Sequence, residues 1–135
     1  METFSSTTHV VPEVSLSGKT IANKQLMGGG AARLLALGKG CMLVRLELDK
    51  GYDQNGHTHP DHESIGYVLS GDIEMRIGSK TYRLGPGSTW YHPAGVEHTS
   101  LAVEPSVALE FHSPLRPDLL DLFDLSSIRP IEGDR

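Results

Sequence analysis

Two histidines one residue apart carry the clearest chemistry in this chain: His57 and His59, within Gly51-Tyr-Asp-Gln-Asn-Gly-His-Thr-His. On a β-strand, side chains i and i+2 leave the same face, so the pair presents two imidazoles to one ion. A third, His98, closes the segment Gly87-Ser-Thr-Trp-Tyr-His-Pro-Ala-Gly-Val-Glu-His and arrives from a different strand. Six of the seven histidines fall between positions 57 and 112. Neutral imidazole suits the transition metals better than magnesium or calcium. His57, His59 and His98 are therefore read as the ligands of one divalent transition metal, with iron, zinc, nickel, manganese and copper all open.

A second pair lies near the end of the patterned region. In Val107-Ala-Leu-Glu-Phe-His112, Glu110 and His112 share one face of a strand, and Leu109 and Phe111 share the other. Charged and imidazole groups on an interior face are costly unless they have work there. His92, just before Pro93, is read as a packing residue, and Trp90 and Tyr91 as core or dimer contacts.

The elements that must hold these residues are short strands. The pattern predicts them over 31–37, 41–48, 64–69, 72–77, 81–84, 88–92, 97–103 and 107–112. Asp72 to Ile77 alternates cleanly, and Gly78-Ser-Lys80 closes a hairpin. Fifteen glycines and eight prolines punctuate the rest, which favours a sandwich or barrel over long helices. After Pro117, the stretch Asp118-Leu-Leu-Asp-Leu-Phe-Asp-Leu125 changes to helical spacing. The expected organisation is an arm over 1–13, one β-barrel domain over 14–117, a short helix over 118–125 lying against it, and a tail over 126–135.

With 135 residues the chain forms one domain and can bury a core without disulfide staples. The net charge of −5, with no basic cluster, argues against nucleic acid or an anionic membrane as partner. A single cysteine, Cys41, permits no intrachain disulfide and suits a reducing compartment. No signal-peptide pattern opens the sequence, and no stretch reaches the length of a membrane span. A cytoplasmic protein is expected.

Both histidine segments resemble the cupin superfamily, a double-sheet jelly roll. Its first motif is Gly, five residues, His-x-His, three or four residues, Glu, six residues, Gly. Gly51, His57, His59 and Gly71 match it, with Ser64 at the position of the usual ligand Glu. Its second motif is Gly, five residues, Pro-x-Gly, two residues, His, three residues, Asn. Gly87, Pro93, Gly95 and His98 match, and Ala102 stands in place of the Asn. The resemblance covers roughly residues 40 to 112 and implies a metal-binding jelly-roll barrel.

Ser64 bears on mechanism, because a hydroxyl is a poor ligand beside an imidazole. The three-histidine site, which keeps positions open for water or substrate, is the leading reading. Glu63 turned inward by a bulge is the runner-up, and His62 in the same loop is a third source of a fourth ligand.

The stretch Glu110-Phe-His-Ser-Pro-Leu-Arg116 also resembles the end of small cupins acting on unsaturated uronates from pectin or alginate breakdown. Their pattern is Asp-x-Phe-x-x-x-Arg, with His112 here in place of Phe. That resemblance implies a catalytic group of Glu110 as acid/base, His112 beside it and Arg116 on the substrate carboxylate. The expected function is a metal-dependent enzyme acting on a sugar acid or related oxo-acid by isomerisation or proton transfer. A three-His ferrous dioxygenase is the alternative, and a ligand- or metal-binding module without turnover is the third reading. A small-molecule substrate is the expected partner, along with a second copy in a homodimer formed through an outer sheet face or a swapped N-terminal arm.

Overall fold

The computed structural model describes residues 23–25, 28–57 and 61–115, with the side chains of residues 23–25, Asn55 and His57 excepted. All of its regular structure is β: β1 Asn23–Gln25, β2 Gly30–Leu37, β3 Met42–Leu48, β4 Asp53–His57, β5 Glu63–Ile77, β6 Lys80–Leu84, β7 Thr89–His92 and β8 His98–Ser113. The predicted arm, the helix over 118–125 and the tail lie outside the described residues, as do His59 and Arg116.

Every pairing is antiparallel. The strand order is β1-β2-β3-β8-β5-β6, with β4 added to β8 and β7 to β5. The two longest strands organise the rest. β8 pairs with β3 over Ser106–His112 and with β4 over His98–Leu101, while β5 runs along nearly its whole length. β5 likewise pairs with β7 near its start and with β6 near its end. Each long strand thus changes neighbours midway, which folds one hydrogen-bonded sheet into the two faces of a jelly roll.

The sequence pattern ends strands at 69 and 103 and starts new ones at 72 and 107, which would divide β5 and β8 into four strands, but both run through. Register shifts fall at Val68/Ser70, Ser70/Asp72 and Asp72/Ile73, so the strands bend there without breaking. Gly71 has φ 98°, and a Cβ at that position would overlap Ser106 and the Pro105 carbonyl. The hydroxyl of Ser106 fastens the bend: it accepts from the Asp72 amide at 3.0 Å and lies 2.8 Å from the Glu104 carbonyl. β4 also escapes the sequence pattern. Asp53-Gln-Asn-Gly has low β propensity, and this segment is a strand because β8 supplies its partner.

The core fills the space between the two faces. Val44, Val68, Ile73, Met75, Ala102 and Ala108 are all within about 1% of full burial. The clean alternation of β5 places Ile73 and Met75 inside. Among the described residues, no helix is long and apolar enough to cross a membrane.

Candidate metal and proton-transfer site

The inner face of four adjacent strands carries the site in two rows. The first runs His92 on β7, Ser64 on β5, His112 on β8 and Met42 on β3. The second, two residues along, runs Trp90, Gly66, Glu110 and Val44. His92, Ser64 and His112 are 5%, 5% and 2% exposed. Gly66 matters because it has no side chain: a Cβ there would overlap the six-membered ring of Trp90. The indole lies over that bare stretch of backbone, next to Glu110 in the same row.

Glu110 is the centre of the cluster. Its Oε1 lies 3.0 Å from Nε2 of His112, and its Oε2 accepts from the Ser64 hydroxyl at 3.3 Å. Oε2 also lies 3.8 Å from Nδ1 of His92. The contact with His112 is close but not aligned as a hydrogen bond, so it is a proximity of carboxylate and ring. Neither nitrogen of His112 makes a directed hydrogen bond among the described residues. His62 approaches His112 edge-on, with ring centroids 5.9 Å apart.

Ser64 occupies the position of the usual metal-ligand carboxylate in the first motif. Its hydroxyl is engaged with Glu110, and it lies 3.3 Å from Nδ1 of His92. Glu63 points the other way: it is exposed, and Tyr91 donates to it at 3.4 Å. Strand alternation sets that direction, and β5 has no bulge at Glu63 to reverse it.

His98 begins β8, 4% exposed, directly opposite His57 of β4 in register. The carbonyl of Val96 lies 3.2 Å from its Nδ1. A carbonyl only accepts, so Nδ1 carries the proton and Nε2 the lone pair of the neutral ring. A metal-ligating histidine is held in the same way, its other nitrogen donating to a backbone carbonyl or carboxylate. The ring of His98 also stacks on that of His92, centroids 3.7 Å apart and planes within 13°. This joins the His98 end of the barrel to the Glu110 cluster. Among the described residues no group of three or more His, Cys, Asp or Glu forms a complete metal cage. The His57 side chain and His59 stand outside that description. Of the expected ligands one donor is described, the buried imidazole of His98, a type that suits a transition ion, and it lies in register with the backbone of His57.

A cavity of about 190 Å³ opens beside these groups. Glu110, His92, Tyr52 and Gln54 supply polar atoms to its wall, and Met75 and Trp90 supply apolar surface. Burial holds the Tyr52 phenol above its ordinary pKa, and the charges of Glu110 and Asp53 add to that effect. Tyr52 therefore presents a neutral hydroxyl to the cavity. His92 and Tyr52 have no place in the site read from sequence. Parity with Trp90 was the available signal for His92, since a residue two along from a buried tryptophan on one strand faces inward too.

Comparisons with known proteins agree with this fold. No curated protein sequence matches the chain. Solved structures do. KdgF from Halomonas sp. is 30% identical, covering 72% of this chain and 91% of its own, with a TM-score of 0.68. An RmlC-like cupin from Shewanella frigidimarina NCIMB 400 is 24% identical over 72% of this chain and 86% of its own, TM-score 0.68. Ectoine synthase from P. lautus shares the fold at 19% identity, covering 83% of each chain, TM-score 0.68. Residues 44–112, which span both histidine motifs and the strand carrying Glu110 and His112, match the cupin domain, and the chain belongs to the cupin family.

Proposed function

We propose that this cupin is a metal-dependent enzyme that moves a proton on a sugar acid or related oxo-acid. The observation that carries the reading is the placement of Glu110. A carboxylate lines a small, mostly apolar cavity, its two oxygens flanked by His112 at 3.0 Å and Ser64 at 3.3 Å. Burying a carboxylate in such surroundings is costly.

In this reading His57, His59 and His98 hold one divalent ion, which when bound polarises a carbonyl or enol oxygen of the substrate. Glu110, on the wall of the cavity, takes a proton from carbon and returns it, the part of a general acid–base. Ser64 and His112 fix the orientation of its carboxylate from two sides, so little reorganisation accompanies transfer. Trp90 and Met75 close the apolar side and keep bulk water away from the reacting carbon. Arg116 pairs with the substrate carboxylate, a role its planar fork suits.

A ferrous dioxygenase remains the second reading, and Ser64 favours it. Its hydroxyl is engaged with Glu110 and lies beside His92, which supports a ligand set of three histidines. One experiment separates the two. Protein purified without oxygen is analysed for metal, then incubated with a panel of oxo-acids and sugar acids in deuterium oxide. Deuterium appearing beside the carbonyl, and lost in Glu110→Gln, supports proton transfer. Oxygen uptake with bound iron and no deuterium incorporation selects the dioxygenase.

A further inference from the structure

Tyr52 holds a buried polar group that the proton-transfer reading does not use. β8 passes along the interior twice, once on each side of its bend at Ser106, and its inward residues mark three levels. His98 and His112 stand at the outer level, Ser100 and Glu110 at the next, and Ala102 and Ala108 at the third, nearest the bend. Tyr52 belongs to the third. Its carbonyl accepts from the Ala102 amide at 2.8 Å, and the Ala102 carbonyl accepts from the Gly51 amide at 2.8 Å. Along the barrel, Glu110 therefore stands between the level of His98 and the level of Tyr52.

Tyr52 is 8% exposed and joins the buried apolar cluster, yet it lines the same cavity as Glu110, Gln54 and Ser100. Among the described residues no hydrogen bond reaches its hydroxyl. A phenylalanine would fill the ring's place without the cost of burying a hydroxyl. A hydroxyl kept there finds its partner in what the cavity holds. We infer that Tyr52 is a second substrate-touching residue, whose phenol donates a hydrogen bond to an oxygen of the oxo-acid at the inner end of the cavity.

The inference rests on the oxo-acid reading above and narrows it. One oxygen at the His98 end, a carbon beside Glu110 and a second oxygen at Tyr52 describe an oxo-acid with a hydroxyl on its chain. Burial first, then the charges of Glu110 and Asp53, keep the phenol protonated, so it serves as a donor. At the inner level the rest of the wall is apolar: Leu46, Leu48, Ile73 and Ala108. A chain hydroxyl carried to that depth would be stranded without the phenol, which costs affinity. Gln54, in register with Ser100, borders the same end with an amide that both donates and accepts.

The test reads binding without turnover. Trp90 is the single tryptophan of the chain and lines the cavity, so its fluorescence reports occupancy. The full chain as purified is titrated with two matched pairs: pyruvate against 3-hydroxypyruvate, and 2-oxobutyrate against 4-hydroxy-2-oxobutyrate. In at least one pair the wild type is expected to bind the hydroxylated member about 3–10-fold more tightly, the worth of one hydrogen bond. Tyr52→Phe should lose that preference with its far-ultraviolet strand signal intact, and Glu110→Gln should keep it. If Tyr52→Phe fails to fold, Tyr52→Met, unbranched and adaptable, gives the same reading. A preference that survives in whichever of the two variants folds overturns the inference. A wild type without preference in either pair, through equal binding or none, also overturns it. A preference lost in Tyr52→Phe but no deuterium exchange would sink the proton-transfer reading and leave the Tyr52 contact standing.

Discussion

Glu110 and His112, two residues apart on β8, meet inside the barrel with Oε1 3.0 Å from Nε2. Neighbours of equal parity on a strand share a face, and here that face is the interior. Glu110→Ala removes the group facing a ring that is 2% exposed. It also takes the acceptor from the buried Ser64 hydroxyl, a loss that should cost about 1–3 kcal/mol, read from denaturant midpoints. Glu110→Gln keeps an oxygen in place and should cost less. Once an oxo-acid substrate is in hand, the same Gln variant should lower kcat by about 10²–10⁴-fold, the usual worth of general acid–base help. Full activity in Glu110→Gln would assign proton transfer to another group.

The metal reading rests on His98 and makes a direct prediction. The Val96 carbonyl fixes its tautomer with Nε2 as the lone-pair nitrogen, and the residue faces His57 across β4 and β8. His98→Ala should lose most bound metal in elemental analysis of purified protein, because water replaces a lost imidazole poorly. His57→Ala and His59→Ala should behave alike. Wild-type metal content in His98→Ala would rule out this ligand set.

Ser64 separates ligation from orientation. Its hydroxyl donates to Glu110 and lies beside His92, so Ser64→Ala should leave metal content at the wild-type level. The same change removes one of the contacts holding the Glu110 carboxylate and should reduce kcat more than it changes KM. Loss of metal in Ser64→Ala would make the hydroxyl a ligand and overturn this assignment.

Much of this site was legible in the sequence, and the remainder was hidden for identifiable physical reasons. Two-residue periodicity sufficed to place Glu110, His112 and Ser64 inside and Glu63 outside, because strand parity is rigid once register is set. The spacing from Gly51 to Gly71 and from Gly87 to His98 sufficed for the family. His92 looked like packing because Pro93 follows it, yet Trp90, two residues before, shares its inward face. Its pairing with Ser64 depends on β7 meeting β5, a long-range contact that local pattern does not contain. The continuity of β5 and β8 was hidden for a related reason. Gly71 and Pro105 are turn residues locally, and it is the pairing of β5 with β8, together with the Ser106–Asp72 bonds across the two strands, that holds them in a bend.

Gly66 is a packing prediction with a large expected effect. A methyl group there would occupy the volume of the Trp90 ring, which is buried at 6% exposure and has β5 directly beneath it. Gly66→Ala should therefore destabilise the fold by about 1–3 kcal/mol or more, the usual range for overpacking a filled core. The denaturation midpoint should fall with the slope unchanged. Because Glu110 is next in the same row, displaced indole should also disturb the site. A variant as stable as the wild type would show that Trp90 can move aside at little cost.

Tyr52 gives a pH dependence whose sign is fixed by its surroundings. Burial first, then the charges of Glu110 and Asp53, raise the phenol pKa above its ordinary value of 10.0. In the unfolded chain the phenol ionises near that ordinary value, so above about pH 10 the unfolded state releases this proton before the folded state does. The folded state then binds more protons, and stability falls as pH rises. The contribution of Tyr52 is thus complete below about pH 10 and lost as pH climbs through the raised folded value. Tyr52→Phe keeps the ring and removes the ionisation, so its stability should decline less steeply across that alkaline range. Denaturation midpoints measured for both proteins from neutral to strongly alkaline pH provide the check, alongside an ultraviolet titration of the phenols. Parallel stability curves for Tyr52→Phe and wild type would mean that the Tyr52 phenol ionises as readily folded as unfolded.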